Sequence, residues 1–297
     1  MKISIITPVY HGRSYLKGLI SMLEISTQRL DAWSHGKEQI ETEYILVNDS
    51  PDEPIHEQDV ESNGLEVRVS DNLVNSGIHQ SRVNGLQLSD ADYILFLDQD
   101  DRIEADYLVK MCQGLKNKNY PDVLVCNGYR EYPDGMRKRL YATNYGLQLT
   151  SSARMYYYGT DMILSPGQTL IKREAIPEAW YEYILKDNGC DDCYLWLLMF
   201  EDKCRFDAIT ECLYYHREDV DNFSASSDNM GKSFFQMCNI MEENQLISTD
   251  KIQTLRRRMN LKMQIKSPVS VIKKLILTIK NIDIITMSIA YKALGYH

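Results

Sequence analysis

Hydrophobic residues along the chain alternate between short unbroken runs and longer stretches with helical spacing. The run at 93–97 has five apolar residues without alternation, which predicts a strand buried on both faces, as in a parallel sheet covered by helices. Strands are predicted at 2–10, 43–47, 65–69, 93–97, 123–126, 169–171 and 206–215, and helices at 12–26, 75–88, 104–116, 172–180, 191–199 and 230–247. This order predicts an α/β fold with a mostly parallel, doubly wound sheet flanked by helices.

Four of the predicted strand ends carry polar residues suited to a ligand. They are Thr7 with Tyr10, Asn48 with Asp49, Asn75, and the segment 98–101. In open α/β sheets, ligands bind beyond the carboxyl ends of the strands. We therefore expect these loops to converge on one site.

The most acidic of these ends is Asp98-Gln99-Asp100-Asp101. Two carboxylates about 4 Å apart repel by about 4 kcal/mol at a half-buried site, so the cluster indicates a bound cation. Oxygen ligands suit Mg²⁺ or Mn²⁺, usually shared with a phosphate-bearing substrate. The alternative is an acidic turn in which Asp101 caps the helix that follows.

A second acidic pair, Asp191 and Asp192, begins a strongly apolar helix. One of the two could be a general base, whereas Asp191 could simply be an N-cap. Cys190 and Cys193 form a C-x-x-C, but no second pair of this kind accompanies it, which disfavours zinc. His216 ends the strand 206–215, so it is a candidate metal or phosphate contact as well as a candidate structural residue.

Composition is that of a soluble globular protein of 297 residues with seven scattered cysteines, which suits a reducing compartment. The N-terminal apolar run is too short for a signal peptide, and 284–291 is too short to span a bilayer. We therefore expect a cytoplasmic protein. Neither GxGxxG after the first strand nor GxxxxGK[ST] occurs, which disfavours dinucleotide and P-loop sites.

The net charge of −9 hides an asymmetry between the two ends of the chain. Residues 251–297 hold ten Lys/Arg and one acid, a net of +9, whereas residues 1–250 carry −18. Apolar residues recur in this tail at helical spacing, which is typical of an amphipathic helix on an anionic membrane at the inner face of the cell. The alternative is a helix packed on the body. Nucleic acid is disfavoured because the acidic body would repel it.

In order, these segments resemble the family 2 glycosyltransferases, which have the GT-A fold. The resemblance covers about 2–225. The matching segments are Thr7-Pro8-Val9-Tyr10, Val47-Asn48-Asp49-Ser50, Asn75-Ser76-Gly77 with Ser81-Arg82-Val83-Asn84-Gly85, the DxD-bearing segment 93–101, and 189–196. The sequence departs from the family pattern at Asn48 (usually Asp), Asp191 (usually Glu), Val83 (usually Asn) and Leu198 (usually Arg).

The resemblance implies an inverting enzyme that uses a nucleotide-sugar donor and a divalent metal, Mn²⁺ or Mg²⁺. Asp49 would bind the base, Asp98 the ribose or metal, Asp100 the metal-bound diphosphate, and Asp192 would deprotonate the acceptor hydroxyl. His216 falls where relatives often place a metal or phosphate contact. The donor-site residues implied are Thr7, Pro8, Tyr10, Asp49, Asn75, Arg82, Asp98 and Gln99; the metal residues are Asp98, Asp100 and His216; the catalytic residues are Asp191 and Asp192.

We expect a glycosyltransferase domain at 1–225, with a nucleotide-sugar half at 1–126 and an acceptor half at 127–225. A helical extension with a basic amphipathic tail follows at 226–297. The expected acceptor is a glycan or a lipid-linked saccharide of bacterial surface polysaccharide synthesis. The alternatives are a sugar nucleotidyltransferase, for which the first loop is a poor match, and a degenerate scaffold, which Asp98, Asp100 and Asp192 disfavour.

Overall fold

The computed structural model describes residues 1–36, 38–218, 227–266 and 271–293. Its strands are β1 Lys2–Val9, β2 Glu41–Asn48, β3 Val67–Asp71, β4 Tyr93–Phe96, β5 Arg102–Ile103, β6 Val123–Glu131, β7 Arg137–Arg139, β8 Thr169–Lys172 and β9 Phe206–Arg217. Its α-helices are α1 Arg13–Ser34, α2 Gly77–Leu88, α3 Tyr107–Asn117, α4 Asn144–Gln148, α5 Glu178–Glu182, α6 Asp191–Glu201, α7 Ser227–Glu243, α8 Thr249–Lys266, α9 Val271–Lys280 and α10 Ile282–Ala293.

One sheet joins the strands of the described chain in the order β3-β2-β1-β4-β8-β6-β9-β5, with β7 paired to β6. The first four strands are parallel, as predicted. In the second half β8 runs antiparallel to both β4 and β6, while β6 and β9 are parallel. The expected doubly wound α/β sheet is therefore parallel in its first half and mixed in its second.

Helices cover both faces of the sheet and leave its strand ends open. Strands β1, β2 and β4 are almost wholly buried, which explains their unbroken apolar sequences. Helix α2 packs closely on β1, since a Cβ at Gly85 would lie 2.3 Å from Ile6 Cγ2. The N-terminal end of α2 lies beside the end of β2, where Asp49 accepts hydrogen bonds from the backbone N–H groups of Ser76 and Gly77.

The structure corrects one predicted segment. The helix expected at 172–180, with an interruption at Pro177, is instead the end of β8, a 3-10 turn at Arg173–Ala175 and the short α5, because Pro177 lacks a backbone N–H and starts a new helix. The region 127–162 holds the rest of the long β6, its hairpin to β7, α4 and a π-helical turn, Met155–Gly159.

The C-terminal helices pack on the rest of the molecule. Both α8 and α10 contact the turn Met155–Gly159, and α7 contacts α8. The tail is two helices rather than the single helix expected, since α9 and α10 meet at Asn281. The predicted boundary at 225/226 lies outside the described residues.

Within the described ranges, none of the helices has both the length and the apolar character needed to cross a bilayer.

Candidate active site

A buried arginine joins the two acidic segments of the sequence. Arg82, on α2, lies 2.5 Å from Asp98 at the end of β4 and 2.5 Å from Asp191 at the start of α6. Arg82 and Asp191 are almost completely buried, and Asp98 is partly exposed. Burial lowers the pKa of Arg82, but the charges of Asp191 and Asp98 raise it above its usual value, so the guanidinium stays cationic.

Two further carboxylates follow Asp98, and they have different partners. Asp101 is buried and accepts a hydrogen bond from the Tyr214 hydroxyl. Asp100 has no ion-pair partner in the described part of the chain. Burial, followed by the charges of Asp101 and Asp98, raises the pKa of Asp100 to about 7. Both side chains line a cavity of about 540 Å³ between α1 and β9.

His216 lies beside the acidic segment. Its Nδ1 lies 3.4 Å from Asp101 Oδ1, and its Nε2 lies 4.0 Å from Glu218 Oε1. Burial lowers the pKa of His216, but the hydrogen bond and charge of Asp101 raise it more, so its pKa ends above the usual value. The predicted metal or phosphate contact of His216 stays a prediction.

The oxygen atoms of the acidic segment suit a divalent cation, but the described residues do not form a complete set of metal ligands. Asp98, Asp100 and Asp101 supply only oxygen ligands, and the charges of Asp101 and Asp98 add to the effect of burial in raising the pKa of Asp100. Across the ranges the structure describes, no three His, Cys, Asp or Glu side chains are grouped closely enough to hold a metal ion. A cation shared with a phosphate-bearing ligand fits this donor set better than one held by protein alone.

Asp49 anchors the start of α2. Its carboxylate accepts hydrogen bonds from the backbone N–H groups of Ser76 (2.7 Å) and Gly77 (2.8 Å) and from Asn72 Nδ2 (2.8 Å). The positive end of a helix dipole favours such a carboxylate. Asn75 is exposed beside it, and its Oδ1 accepts a longer bond from Gly77 N. The predicted contact of Asp49 with a nucleotide base stays a prediction.

Gln99 ties the loop after β1 to the acidic segment. Its Oε1 accepts from the backbone N–H of Tyr10 (2.9 Å), and its Nε2 donates to the Tyr10 carbonyl (3.1 Å). The Tyr10 ring is half exposed at this edge. Thr7 and Pro8 are buried in β1, and their predicted contact with the donor stays a prediction.

The candidate base Asp192 lies beside a second carboxylate, Asp161. Asp192 is half-buried, and its Oδ1 accepts from the backbone N–H of Cys193 (2.7 Å). Burial and then the charges of Asp161 and Asp191 raise the pKa of Asp192 well above its usual value. Asp161 Oδ1 is itself buried without a hydrogen-bond partner, and burial raises the pKa of Asp161 to about 7. A raised pKa suits a carboxylate that must accept a proton near neutral pH.

Sequence reasoning, through the family resemblance, assigned Arg82, Asp98, Asp100, Asp191 and Asp192 to one site, and the structure brings these residues together. It missed Asp161, which lies in an irregular stretch with no periodic signal, and Tyr214, which read as an ordinary strand residue. The sequence of β9 gives no sign that the Tyr214 hydroxyl would reach a carboxylate.

Comparison with known proteins identifies the family. The model described as "Glycosyl transferase family 2" matches residues 4–180, more than half of the chain. The chain belongs to this family. The match includes most of β1, all of β2, the segment 98–101 and Arg82. No curated protein sequence matches the chain.

Solved structures with the same fold come from S. aureus TarS. TarS 1-349 in complex with UDP-GlcNAc is 18% identical, with a TM-score of 0.61 over 99% of this chain and 84% of the TarS chain. TarS 1-349 in complex with UDP is 20% identical, with a TM-score of 0.57 over 86% and 70% of the two chains. At this identity the likeness shows the fold, and the predicted GT-A type fold is confirmed.

Proposed function

We propose that this glycosyltransferase is an inverting enzyme that transfers a sugar from a nucleotide-sugar to a hydroxyl of a glycan or lipid-linked acceptor. The observation that carries the proposal is the double ion pair of Arg82 with Asp98 and Asp191. This contact brings the acidic end of β4, suited to a diphosphate, next to the start of α6, where Asp192 lies. A UDP-sugar is the first donor to test, because TarS has this fold and was crystallised with UDP and UDP-GlcNAc.

The residues would divide the chemistry between a donor side and an acceptor side. Asp98 and Asp100 would hold a divalent cation, Mg²⁺ or Mn²⁺, which when bound offsets the charge of the leaving diphosphate. Asp192 would take the proton of the acceptor hydroxyl as it attacks the anomeric carbon from the opposite face, which inverts the configuration. Asp191, held by Arg82, would orient the start of α6 rather than exchange protons.

The acceptor and the setting are part of the same proposal. The segment between β7 and β8 lies next to Asp192 through Asp161 and is the candidate acceptor platform. We propose a saccharide of bacterial surface polysaccharide synthesis as the acceptor, with the enzyme on the cytoplasmic side of the membrane.

A thermal-shift panel tests the donor side. The protein is melted with UDP, GDP, CMP or dTDP, each with and without Mn²⁺. A ligand at 100 times its dissociation constant stabilises the folded state by about 2.7 kcal/mol, which is readily measured. We expect a metal-dependent shift with one nucleotide that is lost in Asp100→Ala and kept in Asp106→Ala, a control that removes an exposed carboxylate paired with Arg29. No shift with any nucleotide would refute the donor-site assignment.

A second experiment tests the base. Asp192→Asn keeps the shape of the side chain but cannot accept the proton, so we expect turnover to fall by about 10²–10⁴-fold. The nucleotide-induced thermal shift should stay as in the wild type, because Asp192 is not on the donor side. Unchanged turnover in this variant would remove Asp192 from the mechanism.

A further inference from the structure

Helices α9 and α10 present a row of apolar side chains to solvent. Exposed fractions are 60% for Leu275, 63% for Ile279, 64% for Ile282 and 63% for Ile289. Leu275 and Ile279 are four residues apart on α9, and Ile282 and Ile289 are seven residues apart on α10, so each pair lies on one side of its own helix. Exposed apolar groups in a contiguous row are unusual on a soluble protein and indicate an interaction surface.

The opposite side of these helices is fixed to the body of the protein. Asn281 and Ile284 are buried, and α10 packs against the turn Met155–Gly159. Arg257 of α8 forms a 2.9 Å ion pair with Asp283. The exposed row is therefore held in a defined direction, away from the catalytic domain, and is not the inner face of an unpacked helix.

The positive charge of residues 251–297 indicates which kind of partner this surface binds. Residues 251–297 carry ten Lys/Arg and one acid, and Lys251, Arg256 and Arg257 are already paired with Glu201, Glu242 and Asp283. Lys262 and Lys280 are exposed on α8 and α9. An apolar row on a helix that also carries cations matches the chemistry of an anionic bilayer surface, where the apolar groups enter the acyl boundary and the cations meet the head groups.

We propose that the face formed by Leu275, Ile276, Ile279, Ile282 and Ile289 docks on the surface of an anionic lipid bilayer. Binding would be peripheral, with the helix axes near the plane of the membrane. The proposal is independent of the sugar-transfer chemistry, since it uses no residue of the active site.

One consequence does rest on the proposed function. Helices α8 and α10 contact the turn Met155–Gly159, and Arg258 of α8 donates a hydrogen bond to the Tyr156 carbonyl. The same stretch of chain continues to Asp161 beside Asp192. Docking through α9 and α10 would therefore bring the acceptor side of the site toward the membrane, where a lipid-linked acceptor resides.

Vesicle co-sedimentation of the full chain tests the docking face. Wild-type protein is mixed with vesicles of phosphatidylcholine alone or with added phosphatidylglycerol, at low and high salt. We expect binding to the anionic vesicles that weakens with salt, and little binding to the neutral ones. Absence of binding to anionic vesicles, or equal binding to both kinds, would overturn the proposal without touching the transferase assignment.

A matched pair of variants locates the surface. Leu275→Ser with Ile279→Ser should reduce partitioning onto anionic vesicles by at least about tenfold, equivalent to about 1.4 kcal/mol. Leu73→Ser, which removes the most exposed large apolar side chain outside this face (95%), should bind as the wild type does. Nucleotide-induced thermal shifts should be equal in all three proteins. Vesicle binding that is not reduced in the double variant would refute the assignment of this face to the membrane. A concentration-dependent dimer that only the double variant loses would also refute it, and would assign the face to contact with a second copy of the chain.

Discussion

Replacing Arg82 with Met should reveal how far the buried ion pairs hold the site together. The substitution keeps the length of the side chain but leaves Asp191, whose side chain is 4% exposed, without its cation. Breaking a buried pair by removing one partner costs about 3–5 kcal/mol, because an uncompensated charge stays in the interior. Most of this cost should come from Asp191, since Asp98 is 26% exposed and partly screened by water.

The measurement is equilibrium unfolding in urea together with a thermal melt. For a chain of this size, about 2 °C of Tm corresponds to 1 kcal/mol, so Arg82→Met should melt about 6–10 °C below the wild type. Adding Asp191→Leu to Arg82→Met should restore much of the loss, because it removes the unpaired charge. Arg29→Met, which breaks the exposed pair with Asp106, is the control and should cost less than about 1 kcal/mol.

Two outcomes would contradict this reasoning. If Arg82→Met were no less stable than Arg29→Met, the buried pairs would not stabilise the fold. If adding Asp191→Leu deepened the loss, the cost would come from packing around the guanidinium and not from the charge left behind.

Three further predictions follow from other parts of the site. Burial lowers the pKa of His79 to about 4, below the value of 6.5 in the unfolded chain. The free energy of unfolding therefore keeps the full contribution of the neutral ring above pH 6.5 and falls by about 3 kcal/mol as the pH drops to 4. His79→Gln should flatten that part of a curve of stability against pH. A methyl at Gly12 would lie 2.1 Å from Gln99 Oε1, so Gly12→Ala should displace Gln99 and raise the KM for the donor with little change in kcat. Asp161→Asn removes a charge that raises the pKa of Asp192, so the acidic limb of the pH–rate profile should move to lower pH; an unmoved limb would show that the two carboxylates do not interact.

The parallel first half of the sheet and the acidic segment after β4 could be predicted from the local sequence. Five consecutive apolar residues at 93–97 indicate a strand buried on both faces, so Asp98 must lie where that strand ends. The link between Arg82 and Asp191 could not be predicted, because 109 positions separate the two residues and no periodic pattern relates them.

The direction of β8 could not be predicted from the sequence either. The apolar run at 169–171 is compatible with either orientation, and only its neighbours β4 and β6 decide that it runs antiparallel. The split of the tail at Asn281 was missed because apolar residues continue at helical spacing across the break, so the pattern alone reads as one helix.

The antiparallel direction of β8 has a consequence for how this enzyme could change over evolution. Val125 of β6 pairs with Thr169 of β8, and Asn127 Nδ2 donates to the Tyr141 carbonyl just after β7, so the chain between β7 and β8 leaves and rejoins the sheet beside the same part of β6. An insert whose two ends are adjacent can be exchanged for another without moving the strands that frame it. Under the proposed function, this stretch can therefore act as a replaceable cassette, through which a lineage could acquire a new acceptor while the donor-side strands stay as they are.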